Sequence, residues 1–570
     1  MLILLALACT DGADPLPERP LAFPSADLVQ DGKLSLKAED LPSAETPVRV
    51  ERLAWREGFS VVQTTVFDLA DVDASSLPGH GELSFAGAVR IVELGSGQAL
   101  PCFAELDAWP ENPEQPSLMV RPLLPMRAGT EVAVVVTTQA APVDPFWEAG
   151  GDEELRARLL ELGIEDVAMA TSFPVADGSR PLTSALDQVD TPEGYTWEYV
   201  NEDAANMPEG IWRRLEGTYT TANFLGEDGQ LSLDEGSAQR LGEVEADLYV
   251  YFPEAVRDAE PGTVPIWMFG HGIFSHPDNY FYEEGDPNGV IELANQAGVL
   301  VIATVWRGMT TRDLVVPITA GNDFGRVNEL TDHLVQGVAN NVALAKLIQD
   351  GDLLDDQELL GLADRRQIFW YGISLGGIEG AVTLANQDII EHGVLHVGGA
   401  AWSTMLERSS NWTQFEMLME DAVPSPRDRQ QLYSLSQLFW DPVDPASYAS
   451  QLAQRSLLWQ ESIGDEQVPN LTTRLLARGA GVELLEPVVD LPPGLASSAS
   501  PGLPAMSQFD PERPLPTSEN RPAESTGAHS DPRTWPGQHA QTARFLDPDD
   551  PGVVQHFCGE APCSASNDGG

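Results

Sequence analysis

The sequence predicts an α/β fold, a mostly parallel sheet with helices on both faces, preceded by an all-β sandwich. Three observations carry this. From about residue 245, continuous apolar runs of strand length alternate with amphipathic helical stretches, the pattern of a parallel sheet buried on both faces. Between about residues 46 and 140, short β-rich runs are punctuated by Pro and Gly at sandwich spacing. With 570 residues, 42 % of them hydrophobic, the chain is long enough for several domains and a large core.

The chain opens with "MLILLALACTDG". Its apolar run, residues 2–8, is too short to span a bilayer and ends in small residues before Cys9, as an export signal does. "ALAC" resembles the bacterial lipobox, which implies a lipid on Cys9, although no Lys or Arg precedes the run. Residues 1–9 are therefore expected to be a signal peptide with lipobox, and residues 10–45, rich in Pro, Asp and Ala, a linker. The expected destination is the outer membrane or cell surface, or otherwise secretion or the periplasm.

Residues 46–145 hold the sandwich runs "GFSVVQTTVFDL", "GAVRIVEL", "LMVRPLLPM" and "TEVAVVVTT". A module of this kind usually spaces or docks. Residues 146–240 form a mixed connecting region. "DEELRARLLELG" has helical spacing, and "EGTYTTANFLGEDGQLSL" predicts a hairpin. "EDGQLSLDEG" lacks the alternating oxygen ligands of a calcium loop and reads as a turn.

Residues 241–548 carry the α/β alternation. "ADLYVYFP", "VPIWMFGHG", "VLVIATVW", "QIFWYGI", "VLHVGGAAW" and "SLLWQES" predict strands. "GVIELANQAG", "VNELTDHLVQGVANNVALAKLIQ", "GIEGAVTLAN", "NLTTRLLARG" and "PGQHAQTARFL" predict helices. Residues 403–455, longer than a usual connection, are rich in Trp, Phe, Met and Leu. They fit either a cap over a site or a helical insertion packed on itself. In the tail, residues 549–570, Cys558 and Cys563 can close a small loop in an oxidising compartment. Cys102 is left over. Without clustered histidines no metal is expected.

The net charge of −56, with lysine only at Lys33, Lys37 and Lys346, repels nucleic acid and anionic headgroups. Neither is an expected partner. Membrane contact is expected only through the N-terminal lipid.

The chemistry centres on "GISLG", residues 372–376, set where a buried strand turns into a helix. Gly372 and Gly376 suit a turn too tight for a Cβ, and the turn raises Ser374 as a nucleophile. A hydrolytic serine needs preplaced donors for the oxyanion. The backbone N–H of Leu375 is one. "WMFGHGIFSH" supplies the other at Ile273, with Gly270 and Gly272 permitting close approach and His271 shaping the loop. His529, in a loop after the last predicted strand, is the expected base. His539 is its alternative; His392 and His396 come too soon, and His556 lies in the tail. Asp465, after "SLLWQESIG", is the expected acid, with Glu466 and Asp490 as alternatives and a helix-capping turn as its structural reading.

In these stretches the chain resembles the α/β-hydrolase superfamily. It is similar in particular to bacterial surface-lipoprotein lipases of the virulence-factor type. "GHGIFS", "LVQGVANNVALAKLI", "YGISLGG", "GDEQVPN" and "AHSDPR" carry the catalytic half of the resemblance, "GFSVVQTTVFDLAD" and "LMVRPLLPMRAGTEVAVVVTT" a looser N-terminal half. The resemblance implies an α/β-hydrolase fold behind an Ig-like domain. It also implies a Ser374–His529–Asp465 triad, an oxyanion hole at Ile273 and Leu375, and no cofactor. The expected activity is carboxylic ester hydrolysis, lipase, esterase or lysophospholipase-like. Peptide or polyester cleavage and acyl transfer use the same machinery. The alternative is a catalytically silent surface-binding lipoprotein on the same scaffold.

Overall fold

The computed structural model describes residues 17–43, 45–109, 116–202 and 207–567. The expected signal and lipobox, Cys9 included, lie outside the described residues. Among the described residues no helix is long and apolar enough to cross a membrane.

A mixed sheet of twelve strands organises the larger part of the chain. In spatial order it runs Tyr195–Asn201, Ile211–Asn223, Gly242–Pro253, Leu300–Ala303, Val264–Gly270, Ala363–Ile373, His392–His396, Ser456–Ser462, Ala505–Asp510, Glu483–Leu485 and Ala496–Ser498. Cys563–Ser564 pairs alongside Ala505–Asp510. The first four strands pair antiparallel, and from Leu300–Ala303 onward neighbours are parallel.

The sheet thus begins well before residue 241. The first eight residues of the stretch expected to form a hairpin, 216–223, belong to one long strand, Ile211–Asn223, paired on both sides. Its remaining residues, 224–233, fold back through the Leu225–Leu231 bridge. Along Ile211–Asn223, next to the edge strand Tyr195–Asn201, buried residues alternate in part with half-buried ones, as in an antiparallel strand with one face covered. The tail also joins the sheet, with Cys558 and Cys563 joined as a disulfide. Cys102 is a buried free thiol.

The central strands read as unbroken apolar runs because both faces are covered. Ile266, Met268, Leu300, Ile302, Ile368 and Trp370 point into one core, against the helix Val327–Gln349. Their sequence neighbours Trp267, Phe269, Val301, Ala303, Phe369 and Tyr371 point into another, against Val290–Ala297 and Phe545. The period of two sorts adjacent residues to opposite layers.

Residues 22–175 build two four-stranded antiparallel sheets. One contains Ala22–Phe23, Thr65–Phe67, Leu118–Pro122 and Cys102–Leu106; the other Val167–Val175, Thr130–Thr137, Val89–Glu93 and Ala99–Leu100. The expected linker is therefore partly folded: Ala22–Phe23 pairs with Thr65–Phe67, and Val29–Gln30 with Lys33–Leu34.

Nor is this region a detached spacer. It packs on the insertion through buried polar contacts. Arg121, 2 % exposed, reaches Glu105 at 2.8 Å, Thr404 at 3.1 Å and Glu407. Arg408 pairs with Glu105 and, at 2.8 Å, with Glu407. Burial pushes the Glu105 carboxyl up, but Arg408 and Arg121 outweigh it and hold it below the usual range. Farther along, Asp441 accepts from Arg56 Nη2 at 2.5 Å and Ser60 Oγ at 2.6 Å. Sequence could not reveal this interface, because each partner lies hundreds of residues from the other.

Candidate active site

Two adjacent parallel strands, Val264–Gly270 and Ala363–Ile373, send their chains to opposite sides, one to Leu300–Ala303 and the other to His392–His396. Such a reversal opens a crevice beyond the carboxyl ends of the strands. Both expected loops, at Gly270–His276 and at Ser374, leave from that point.

Ser374 sits between the strand and the helix Leu375–Ala385 with φ 58° and ψ −115°. A non-glycine residue here carries backbone strain. Serine at a helix start usually caps it, yet this hydroxyl makes no capping bond. The turn therefore does not use the side chain it strains to present.

The glycines explain how the turn closes. A Cβ on Gly372 would lie 1.9 Å from the Gly376 carbonyl oxygen, and one on Gly376 would lie 2.0 Å from that of Gly270. Strand, elbow and oxyanion-loop backbones touch directly. Gly376→Ala is expected to cost more than about 4 kcal/mol, because backbone must move; urea unfolding would read it, and a loss below about 1 kcal/mol would contradict the packing argument.

Gly272 lies beside Ser374: a Cβ there would be 3.5 Å from Ser374 Cβ and 2.7 Å from Tyr280 Oη. The Gly272 N–H donates to that hydroxyl at 3.1 Å. Among the described residues no hydrogen bond engages the N–H of Ile273 or of Leu375. Both donors stay free for an incoming oxygen.

His271 shapes this loop. The Trp306 N–H donates to its Nε2 at 3.0 Å, so Nδ1 carries the proton and donates to the Gly272 carbonyl at 2.7 Å. Burial drives its pKa from 6.5 down to about 3. The unfolded chain takes this proton below about pH 6.5 and the folded chain refuses it, so the contribution is present above that pH and lost as pH falls, by about 1.4 kcal/mol per unit. In His271→Gln the fall of unfolding free energy between pH 6.5 and 5 is expected to flatten by up to one proton. An unchanged slope would place the titration elsewhere.

Asp465 and His529 come together. Nδ1 of His529 lies 2.9 and 2.8 Å from the two Asp465 oxygens, with both residues almost fully buried. Asp465 Oδ1 also accepts the Gln467 and Val468 N–H groups at 2.9 and 2.8 Å. The turn function and the imidazole contact coexist in one carboxylate.

Glu466, weighed as an alternative acid, instead holds the histidine loop. Its carboxylate accepts Thr526 Oγ1–H, Gly527 N–H and His529 N–H at 3.1, 3.2 and 3.1 Å. Ser462 Oγ–H ties the same loop down at Ala528 O, 2.6 Å. Neither positioning contact was legible in the sequence beyond the pairing of two acids in "GDEQ". Asp490 lies away at a half-exposed ion pair with Arg474. His539 lies with Nε2 2.6 Å from the Arg533 carbonyl oxygen.

Ser374 is two strands from Ser456–Ser462, with His392–His396 between. That is two strand spacings, about 10 Å across the sheet. His529 Nε2 is buried and has no hydrogen-bond partner among the described residues, so it is not bonded to Ser374 Oγ in this structure. His396, on the intervening strand, accepts the Ser374 N–H with its carbonyl at 2.9 Å and meets Gln460 Oε1 through Nδ1 at 3.0 Å.

The helices of the insertion pack on one another and on the N-terminal sheets. Trp402, Met405, Leu406, Trp412 and Phe415 also line an apolar pocket with Ser374, Leu375 and Ile273.

No protein-family model matches the chain, and no curated protein matches it. Among solved structures it is similar to acetyl xylan esterase 1 from Thermoanaerobacterium sp. JW/SL YS485, with TM-score 0.37, 11 % identity, and 61 % of this chain and 90 % of that chain covered. It is similar to an acetyl xylan esterase from Paenibacillus sp. R4, with TM-score 0.33, 13 % identity and coverage of 55 % and 84 %. The acylaminoacyl peptidase of Pyrococcus horikoshii follows with TM-score 0.29, 16 % identity and coverage of 52 % and 44 %. At these scores any assignment has to come from the geometry of the chain itself.

Proposed function

We propose that the chain is a serine hydrolase of the α/β-hydrolase type that cleaves carboxylic esters through Ser374, His529 and Asp465. The observation that carries this reading is Ser374 itself, strained at φ 58°, not used as a cap, and lining an apolar pocket.

In the proposed cycle the ester carbonyl enters beside Ser374 with its oxygen toward the Ile273 and Leu375 N–H groups. Ser374 Oγ attacks the carbonyl carbon while His529 Nε2 takes the hydroxyl proton. This step needs Nε2 to close on Oγ, a contact that commonly tightens only when substrate is bound. The two N–H donors meet the negative oxygen of the tetrahedral intermediate. Asp465 keeps Nδ1 protonated, so that Nε2 is the basic nitrogen, and balances the imidazolium. His529 then returns the proton to the departing alcohol. Water attacks the acyl-enzyme with the same nitrogen as base, and the acid leaves. Export of the chain, with a lipid on Cys9, belongs to the same proposal; the Cys558–Cys563 disulfide supports an oxidising compartment.

Asp465→Asn tests the pairing. Its amide favours the wrong imidazole tautomer, and kcat on p-nitrophenyl esters is expected to fall about 10³–10⁴-fold with the fold retained. A loss under about tenfold would remove Asp465 from the triad. A folded wild type that turns over no ester and is not labelled at Ser374 by a fluorophosphonate would instead favour a binding protein on this scaffold.

A further inference from the structure

The pocket beside Ser374 is small as well as apolar. Its volume is about 40 Å³, on a scale where one water needs about 10–15 Å³. That is room for roughly three water-sized groups. None of its described lining residues is charged, so a charged acid part would lose its hydration without a partner.

One wall is held unusually rigidly. Phe415, on the insertion helix Thr413–Ala422, stacks on Trp412 with ring centroids 4.9 Å apart and planes 22° apart. Its other neighbour is Phe274, 5.8 Å away, the residue that follows Ile273 in the oxyanion loop. Behind it runs the backbone of the helix Val315–Asn322: a Cβ on Gly321 would come within 2.7 Å of the Phe415 ring. Trp412 is itself pinned, its Nε1–H donating to Tyr433 Oη at 3.1 Å, while the Tyr433 hydroxyl donates to Glu416 at 2.6 Å. The Phe415 ring is therefore packed against Trp412, Phe274 and the Gly321 backbone, with its remaining side toward the pocket. Methionines in the same wall, such as Met405, adapt more readily than this packed ring.

We propose that Phe415 is the specificity-determining residue of this site, limiting the acid part of the ester to a short uncharged acyl group of about two to four carbons. The assignment rests on the ester hydrolase reading above. Added methylenes that do not fit a rigid apolar pocket discriminate by about tenfold or more each, until the wall yields.

The test compares kcat/KM for p-nitrophenyl acetate, butyrate and octanoate in the wild type, Phe415→Ala and Phe415→Leu. The wild type is expected to prefer butyrate to octanoate by at least about tenfold. Removing the ring in Phe415→Ala should raise the octanoate-to-butyrate ratio by about tenfold or more, with Phe415→Leu between the two. The leucine variant keeps the wall apolar, so it decides the matter where the alanine variant fails to fold. A wild type that takes octanoate as readily as butyrate overturns the proposal, as does a ratio unmoved by either substitution. Either result leaves the hydrolase reading standing. That reading fails separately, if no ester is turned over and a fluorophosphonate leaves Ser374 unlabelled.

Discussion

Ser374→Ala is expected to lower kcat on p-nitrophenyl butyrate by at least about 10⁴-fold while the protein stays folded. The oxygen removed is the proposed nucleophile, and the pocket offers no equivalent. Ser409 also lines it, but that hydroxyl already caps the turn at Asn411. The residual rate should come from the oxyanion donors and from binding alone. Structure argues for an intact fold. Alanine keeps the Cβ that already accommodates φ 58°, and the lost hydroxyl makes no helix-capping bond. Fluorophosphonate labelling should disappear in step. Activity within about tenfold of wild type, in a sample free of contaminating esterase, would remove Ser374 from the chemistry.

The second large effect is on stability. Arg121→Ala is expected to cost about 3–5 kcal/mol, because it strips a buried carboxylate of a partner. Arg121 touches Glu105, Thr64, Thr404 and Glu407, and both Arg121 and Glu407 are 2 % exposed. Glu407 would retain only Arg408 and the Gln430 amide at 3.0 Å. Arg121→Ala combined with Glu407→Gln should recover part of the loss, since the stranded charge goes with the second substitution. Urea unfolding of the two single variants and the double variant measures this. A loss below about 1 kcal/mol for Arg121→Ala would show the network to be no better than a surface pair. Thr404 and Glu407 flank Met405 and Leu406 in the pocket wall, so weakened docking should also raise KM.

These two effects differ in what made them visible. The proposed nucleophile is written in five consecutive residues. The glycines around Ser374 have no tolerance for a Cβ, so the turn chemistry survives in any sequence that forms the elbow. The central strands were equally legible, because burial on both faces removes polar residues from every position. The strand Ile211–Asn223 was not: its alternation and its nearby turn residues resemble a hairpin, and only pairing with Gly242–Pro253 makes it part of the large sheet.

The acid shows where local information ends. "GDEQ" offers adjacent carboxylates, and chain order restricts the choice without making it. Consecutive residues in a loop point in different directions, and the fold turns Asp465 to the imidazole and Glu466 to the backbone of the histidine loop. The central strands, the helices and the turn at Ser374 were legible because they depend on side-chain period and on turns a few residues long. Tertiary structure alone decided which acid meets His529, that the N-terminal sheets brace the insertion, and how small the pocket is. Those outcomes depend on contacts between residues far apart in the chain, whose relative positions no local pattern encodes.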